Sequence, residues 1–489
     1  MTERREGFSS RWLMMLAMLG MAVGTGNIWR FPRIAAQNGG GEFLVAWVAF
    51  LLLWSIPLIL VEFGMGRWTG SGPAKAFLKI LGPRFAWMGA FIAFVAIAIM
   101  CYYSVVAGWT LRYVWAALAG QLPGAEPGAF WNGYTTSWWP VLTHAMAMGL
   151  GVLVVARGVS AIESVARILM PALLVLVVVL AVRAVTLPGA EDGLTYLFSV
   201  DWHHLTDATI WLNALTQNAW DTGAGWGLVL VYAAYLRQNE DTALNAVILP
   251  TANNVVSLLA GIMVICTAFS VLGAQMPREN VLAIMADSGP ASTGLTFIWM
   301  PQLFAQLPFG RVFMILFFTA LAFAAFTSLI AMIELFTRVL VDLGASRRRA
   351  VQITGAFGFL AGLPSALSLQ FLGNQDWVWG VALMVSGLFF AIAVIRAGVG
   401  KFRKEQLNHA ASDIHIGRWW EVVIRILVPL QAVVLLVWWL WQARGWDPTG
   451  WLNPLAASSV GTVLAQWAVV LVALILLNRW MVRRMESAG

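Results

Sequence analysis

Charge is what this chain of 489 residues has least of: only 11% are Asp, Glu, Lys or Arg, and the lysines are confined to Lys75, Lys79, Lys401 and Lys404. That scarcity excludes an ordinary soluble domain, in which about 25% of residues are charged. Cys101 and Cys266, the two cysteines, both fall inside apolar runs, which excludes a disulfide scaffold and leaves packing as the expected role of each. The five histidines, His144, His203, His204, His409 and His415, show no metal-ligand spacing on one helix, and no nucleophile–base set stands out, so an integral-membrane enzyme is disfavoured. Long polar stretches are missing as well; the longest polar-leaning ones, residues 186–208, 273–308 and 399–417, are loop-sized. The chain reads as a single membrane domain over residues 1–489.

What is abundant is apolar: 60% of the residues are hydrophobic and the mean hydropathy is +0.78. Segments long enough to span a bilayer fall at about twelve places, near residues 12–37, 42–67, 86–119, 139–157, 162–185, 209–236, 243–272, 309–342, 350–369, 376–398, 418–443 and 457–482. The expected fold is an all-α polytopic membrane protein. Its first segment is too long and too rich in glycine for a cleavable signal and is expected to stay in the mature protein. Short loops rich in Lys and Arg stay cytoplasmic. Lys75 and Lys79 between helices 2 and 3, Arg347, Arg348 and Arg349 between helices 8 and 9, and Lys401 and Lys404 between helices 10 and 11 therefore lie inside, as do both termini. The loop Gly120 to Trp138, on the opposite side, has neither Lys nor Arg. Topology thus accounts for the net charge of +7, and a nucleic-acid partner is unnecessary.

Two of these helices are interrupted. In helix 1 the run is broken by Gly24-Thr25-Gly26-Asn27, with Arg30 beyond it. Glycines break the helix, and in lipid the freed backbone groups must find new partners. A break near mid-bilayer lets the carbonyls of Gly20, Ala22 and Val23 face a cation while the amides after it hold a carboxylate. A glycine-rich kink packed on a neighbouring helix is the alternative. Helix 6 is interrupted by Gln217-Asn218-Ala219-Trp220-Asp221-Thr222-Gly223-Ala224-Gly225-Trp226-Gly227. Helices 1 and 6 open two consecutive groups of five, helices 1–5 over about 12–185 and helices 6–10 over about 209–398. Matching breaks at these positions point to a five-plus-five inverted repeat with its site at the interface, followed by helices 11 and 12 over about 418–482.

Over nearly the whole chain these residues resemble the neurotransmitter:sodium symporter family, of which the bacterial leucine transporter is the best-known architecture. The resemblance rests on Gly24-Thr25-Gly26-Asn27-Ile28-Trp29-Arg30-Phe31-Pro32 and Gln37-Asn38-Gly39-Gly40-Gly41. It continues through Pro57, Glu62, Gly64 and Arg67, Tyr103 and Trp109, the broken helix 6, and Thr327-Ser328. It implies an alternating-access symporter driven by the sodium gradient, in a plasma membrane and here a bacterial inner membrane, with helices 1, 2, 6 and 7 rocking against a scaffold. A sodium-conducting channel, or a carrier of another small zwitterion, is the alternative.

The resemblance implies two sodium sites. One takes Ala22, Asn27, Asp221 and Asn253 with a substrate carboxylate; the other takes Gly20, Val23, Ala324, Thr327 and Ser328. At the Asp221 position the family often has Ser or Thr. Chloride-dependent members hold the anion near positions matching Gln217, Asp221 and Ser257, beside a tyrosine that is Trp47 here. A carboxylate at Asp221 would supply the negative charge itself, so chloride is not expected to be required; direct ligation of sodium by Asp221 with chloride still bound is the rival. Having lost its sodium, a buried carboxylate should take up a proton, which points to proton counter-transport.

Monoamine carriers place an aspartate where this chain has Gly24, so a substrate bringing its own carboxylate fits better. The resemblance implies an α-amino acid site built from Ala22, Val23, Gly24, Gly26, Ile99, Tyr103, Trp220, Thr222, Gly223, Trp226, Ser328 and Met332. The side-chain pocket holds no charge for a second ionic group and has apolar walls, which favours a neutral, hydrophobic or aromatic substrate, although its two tryptophans could leave room only for a small one. Arg30 and Asp376 resemble the outer gate, and Arg5, Asp342 and Tyr235 the inner gate, with Phe8 standing where the family usually has Trp. Glu62 is expected to brace the unwound helices. At the start of helix 5, Ala161 replaces a frequent glycine, leaving Gly158 and Pro171 to permit unwinding.

Overall fold

The computed structural model describes residues 7–488 apart from 123–125, 127, 238–239, 287–293, 411 and 447. Its described residues form helices joined by turns, and ten helices are long and apolar enough to cross a membrane: Gly41–Thr69, Pro83–Leu118, Trp139–Ala156, Val159–Val185, Ala243–Leu272, Gly310–Asp342, Arg347–Leu367, Leu369–Ala397, Trp419–Gly445 and Val460–Ser487. These are helices 2 to 5 and 7 to 12 of the sequence count. Helix 1 is the bent pair Arg11–Ala22 and Gly26–Gln37, with 52° between the halves. Helix 6 is the pair Ala208–Asp221 and Leu228–Ala233, each half too short to span alone.

Local chemistry sets these boundaries. Ser10 caps helix 1, its hydroxyl accepting the Leu13 N–H at 3.3 Å, and Asp207 caps helix 6 by accepting the Thr209 N–H at 2.8 Å. The first half of helix 1 stops where Val23 turns extended, at φ −73° and ψ 99°. Helix 6 stops where Gly223, Gly225 and Gly227 take φ of 75°, 91° and 77°, values that side chains bearing a Cβ rarely adopt. Helix 5 starts two residues before Ala161, because Gly158, at φ 84°, makes the turn into it.

The stretches expected to be loops carry short helices instead. Ala190–Phe198, for instance, buries Ala190, Gly193, Tyr196 and Leu197, one face at helical spacing, and packs on helix 7. Such segments are too short to span, so hydropathy alone does not reveal them. Helix 3 lies at the centre, packed on helices 4, 8, 9 and 10, whereas the two halves of helix 6 both pack on helix 2. Val175 and Val182 of helix 5, Ile426 and Val437 of helix 11 and Leu476 of helix 12 are exposed, as lipid-facing residues are. Cys101 and Cys266 are both buried and free.

Candidate functional site

The end of the first half of helix 1 lies against helix 8. The Ser328 hydroxyl donates to the Met21 carbonyl at 3.0 Å and sits 3.4 Å from the carbonyls of both Gly20 and Val23. One residue earlier, the Thr327 hydroxyl donates to the Phe323 carbonyl at 2.9 Å and lies 3.2 Å from that of Ala324. A Cβ on Gly20 would approach the Thr327 Cβ and the Met170 side chain to 3.1 Å, so the absent side chain is what lets these elements meet. Gly20, Val23, Ala324, Thr327 and Ser328 therefore gather in one place, and Met21, which the sequence did not single out, joins them.

A second polar cluster joins the breaks of helices 1 and 6 to helix 7. The Asn27 amide oxygen accepts the Gly24 N–H at 2.8 Å, closing a local ring inside the break. Its amide nitrogen donates to the Asn253 side-chain oxygen at 2.9 Å and to the Ser257 hydroxyl at 2.7 Å. Ser257 and Gln217 in turn donate to one oxygen of Asp221, at 3.1 and 3.2 Å. The other oxygen, Oδ1, is buried with no hydrogen-bond partner, and so is the Gln217 amide oxygen. A buried carboxylate oxygen left unpaired is costly and suits a cation. Trp47 packs on Phe31 at 4.7 Å, and its indole N–H is buried without a partner.

Between the two clusters is a cavity of about 30 Å³, lined by Ala22, Gly24, Gly26, Asn27, Tyr103, Trp220, Asp221, Gly223, Trp226, Ser328 and Met332, together with Met21 and Leu228. That is room for one or two waters, and less than an amino acid needs. Asp221 is the one charged residue in its wall. Tyr103 fixes one end, its hydroxyl oxygen accepting the Thr25 N–H at 3.1 Å. Trp220 fills the other: its ring meets Trp226 edge-on at 5.4 Å and abuts Gly26 and Gly380, where an added Cβ would come within 2.9 and 2.8 Å of it. Three expected wall residues lie elsewhere. Ile99 and Val23 are buried outside the lining, and the Thr222 hydroxyl turns away to the Asn218 carbonyl at 2.6 Å and the Ser55 hydroxyl at 3.0 Å.

Comparison with known proteins decides the class. The family model described as the sodium:neurotransmitter symporter family matches residues 5–137 and 133–483. The chain belongs to the sodium:neurotransmitter symporter family. An uncharacterized sodium-dependent transporter of Methanocaldococcus jannaschii is 30% identical over 452 residues, covering 88% of this chain and 90% of that protein. Another, of Bacillus subtilis, is 32% identical over 448 residues, covering 86% and 95%. Among solved structures, MhsT in complex with L-phenylalanine matches with a TM-score of 0.76 at 29% identity, covering 89% of this chain and 99% of that one. This symporter is thus an integral membrane, sodium-dependent transporter of a small molecule, and not an enzyme.

Around the cavity of the symporter, Glu62 accepts the Gly225 N–H at 2.7 Å with one oxygen and the Leu230 N–H at 3.2 Å with the other. The brace expected at Glu62 thereby meets one backbone amide within the glycine turns of helix 6, that of Gly225, and one just after them, that of Leu230. Of the residues expected to form an outer gate, the Arg30 guanidinium lies over the Trp220 ring at 5.5 Å, with one buried nitrogen unpartnered, while Asp376 accepts from Tyr102 at 3.0 Å. Asp376 sits well inside helix 10, not at its end, and is solvent-exposed. Of the residues expected to form an inner gate, Arg5 lies outside the described residues. Asp342 accepts the Gly72 N–H at 2.6 Å and pairs with Arg338 at 3.3 Å. Tyr235 donates to Glu334 at 2.5 Å, and Arg347 closes on the same carboxylate at 2.8 Å; Phe8 meets Tyr235 edge-on at 6.5 Å. Glu334 went unnoticed in the sequence. A lone acid in the apolar run of helix 8 was the signal that could have found it.

Proposed function

We propose that this symporter couples the sodium gradient to uptake of a neutral, hydrophobic or aromatic α-amino acid by alternating access, without a requirement for chloride. The observation that carries the reading is the unpartnered Asp221 oxygen, buried at the meeting of the two helix breaks. Sodium is a hard cation that takes several oxygens, and oxygens of Ala22, Asn27, Asp221 and Asn253 suit one ion; the Gly20, Val23, Ala324, Thr327 and Ser328 oxygens suit a second. A substrate carboxylate completes the first site and takes the Tyr103 hydroxyl as donor, while the ammonium meets carbonyls of Ala22, Trp220 and Thr222. The cavity wall offers no second ion pair, which suits a neutral side chain, and the aromatic class has support from the phenylalanine bound to MhsT.

Chloride independence follows from charge balance. Asp221 holds the negative charge where Gln217 and Ser257 converge, and an anion there would face repulsion from it. The positive-inside count puts both termini in the cytoplasm. With the cavity nearly closed, substrate entry requires movement of the Trp220 ring and of the glycine turns of helix 6. The test is a thermal-shift screen of the standard amino acids in sodium or potassium, with chloride or gluconate. Stabilisation by hydrophobic or aromatic amino acids in sodium alone, equal in chloride and gluconate, is expected. Failure of every amino acid to stabilise the protein in sodium refutes the substrate assignment.

A further inference from the structure

A second cavity, remote from the transport site, opens at the junction of helices 10 and 11. Its volume is about 600 Å³, and Gly400, Lys401, Arg403, Lys404, Glu405, Arg418 and Glu421 line it. Arg403 is spoken for: it holds Glu421 at 2.8 Å, and Arg425 reaches the same carboxylate at 3.6 Å. Lys401, Lys404 and Arg418 are exposed, and none of their side chains is in a hydrogen bond or ion pair among the described residues. With Glu421 neutralised, Glu405 is the one acid left in the lining to offset three cations. Such a cluster attracts an anion.

The apolar surroundings say which anion. From the rim of the cleft, Trp419, Val422, Ile426, Leu430, Val433 and Val437 run down helix 11 at helical spacing, each roughly half exposed or more. This continuous lipid-facing stripe ends at the basic cleft. One wall carries a π-helical turn, Arg403–Leu407, a local widening that recurs at functional sites, and a second, Val423–Leu427, follows Glu421 of the other wall. We infer that the cleft binds the headgroup of an anionic phospholipid, with the phosphate among Lys401, Lys404 and Arg418 and an acyl chain along the helix 11 stripe. The positive-inside count places it in the cytoplasmic leaflet.

The cleft is tied to the moving part of the transporter. Phe402 and Leu407 pack on Gly64 of helix 2, where a Cβ would come within 2.6 Å of the Phe402 ring, and Arg67 donates to the Gln406 carbonyl at 3.1 Å. Trp420 donates to the Pro57 carbonyl at 3.2 Å. A headgroup seated in the cleft therefore steadies the contact between helix 2 and the junction of helices 10 and 11.

The test is native mass spectrometry of the purified full chain titrated with phosphatidylglycerol, phosphatidylcholine or inorganic phosphate, alongside thermal stability with each. Wild type is expected to retain phosphatidylglycerol selectively and to be stabilised by it. The Lys401→Gln/Lys404→Gln/Arg418→Gln variant should bind it roughly a hundredfold more weakly, the effect of losing three basic contacts, while keeping its sodium-dependent thermal shift. Arg348→Gln/Arg349→Gln, which removes exposed charge from the first turn of helix 9, should bind as wild type does. If the triple variant does not fold, Lys404→Gln alone serves. Equal phosphatidylglycerol binding by wild type and cleft variant, or equal loss in the Arg348/Arg349 variant, overturns the site. Stabilisation by inorganic phosphate as strong as by phosphatidylglycerol overturns the lipid assignment.

Discussion

Glu62 accepts the Gly225 N–H at 2.7 Å, so a side chain of helix 2 holds the unwound middle of helix 6. Its second oxygen accepts the Leu230 N–H at 3.2 Å, and both are buried acceptors. Glutamine keeps one acceptor and turns an NH2 group toward the other amide. A buried donor left unsatisfied costs about 1–3 kcal/mol. In Glu62→Gln, a lower unfolding midpoint is expected together with uptake reduced roughly fivefold or more. An unchanged midpoint and rate would mean that the glycine turns are held by other contacts.

The size of the substrate is expected to depend on Trp220. The ring is wedged against Gly26 and Gly380, meets Trp226 at 5.4 Å and lies under the Arg30 guanidinium, which leaves a cavity of about 30 Å³. Trp220→Phe removes the second ring of the indole and widens that space. Competition assays should show the preference for tryptophan over alanine rising about tenfold, the scale of change in a hydrophobic pocket. Gly380→Ala, which pushes a methyl to within 2.8 Å of the ring, should hinder its movement and slow transport with little change in preference. A ratio that stays constant in Trp220→Phe would remove this ring from substrate selection.

Sequence and structure agree where polarity interrupts an apolar run and diverge where polar groups satisfy one another inside a helix. Both breaks were legible because several glycines close together destabilise a spanning helix and free backbone groups that lipid cannot satisfy. Thr327 and Ser328 carry no such signal of their own, since a hydroxyl in a membrane helix can bond back to its own carbonyls, and only the family resemblance singles them out. Hydropathy places the start of helix 10 near residue 376; it begins at Leu369. Asn374 donates to the Ala457 carbonyl at 2.7 Å, Gln375 accepts the Trp379 indole N–H at 3.0 Å and Asp376 accepts from Tyr102, so each polar group is satisfied within the helical array. Glu334 and Arg347 escaped for a related reason. Arg347 counts as a basic loop residue in sequence, yet the fold brings it 2.8 Å from a carboxylate thirteen residues earlier on another helix. The orientation of Thr222 was not legible either, because it depends on the partners offered by Ser55 and Asn218.

Ser328 touches helix 1 more closely than Thr327 does. Its hydroxyl lies 3.0 to 3.4 Å from the carbonyls of Met21, Gly20 and Val23, whereas the Thr327 hydroxyl is turned to its own helix. Ser328→Ala removes an oxygen of the proposed second sodium site and the link that draws these carbonyls together. Interactions with a charged group are worth about 1.5–3 kcal/mol, so the sodium concentration for half-maximal uptake should rise about tenfold or more. Thr327→Val should have a smaller effect on the arrangement of helix 1. Sodium titration of uptake at saturating substrate measures both, and equal effects would contradict the ordering.

Asp221 provides the sharpest test of the proposed charge balance. Its Oδ2 takes donors from Gln217 and Ser257 while Oδ1 has none, so replacing the carboxylate removes the negative charge and keeps two anion-binding donors in place. In Asp221→Ser the Gln217 amide, the Ser257 hydroxyl and the new hydroxyl surround a space that favours an anion. Wild-type uptake should be the same in chloride and gluconate. The variant should fall about tenfold or more in gluconate, as expected for a buried cation left without its counter-charge, and should recover with added chloride. A wild type that already needs chloride would show that Asp221 ligates sodium alongside a bound anion. A variant inactive in both salts, yet still stabilised by sodium and amino acid, would assign the carboxylate to the conformational cycle and not to charge balance.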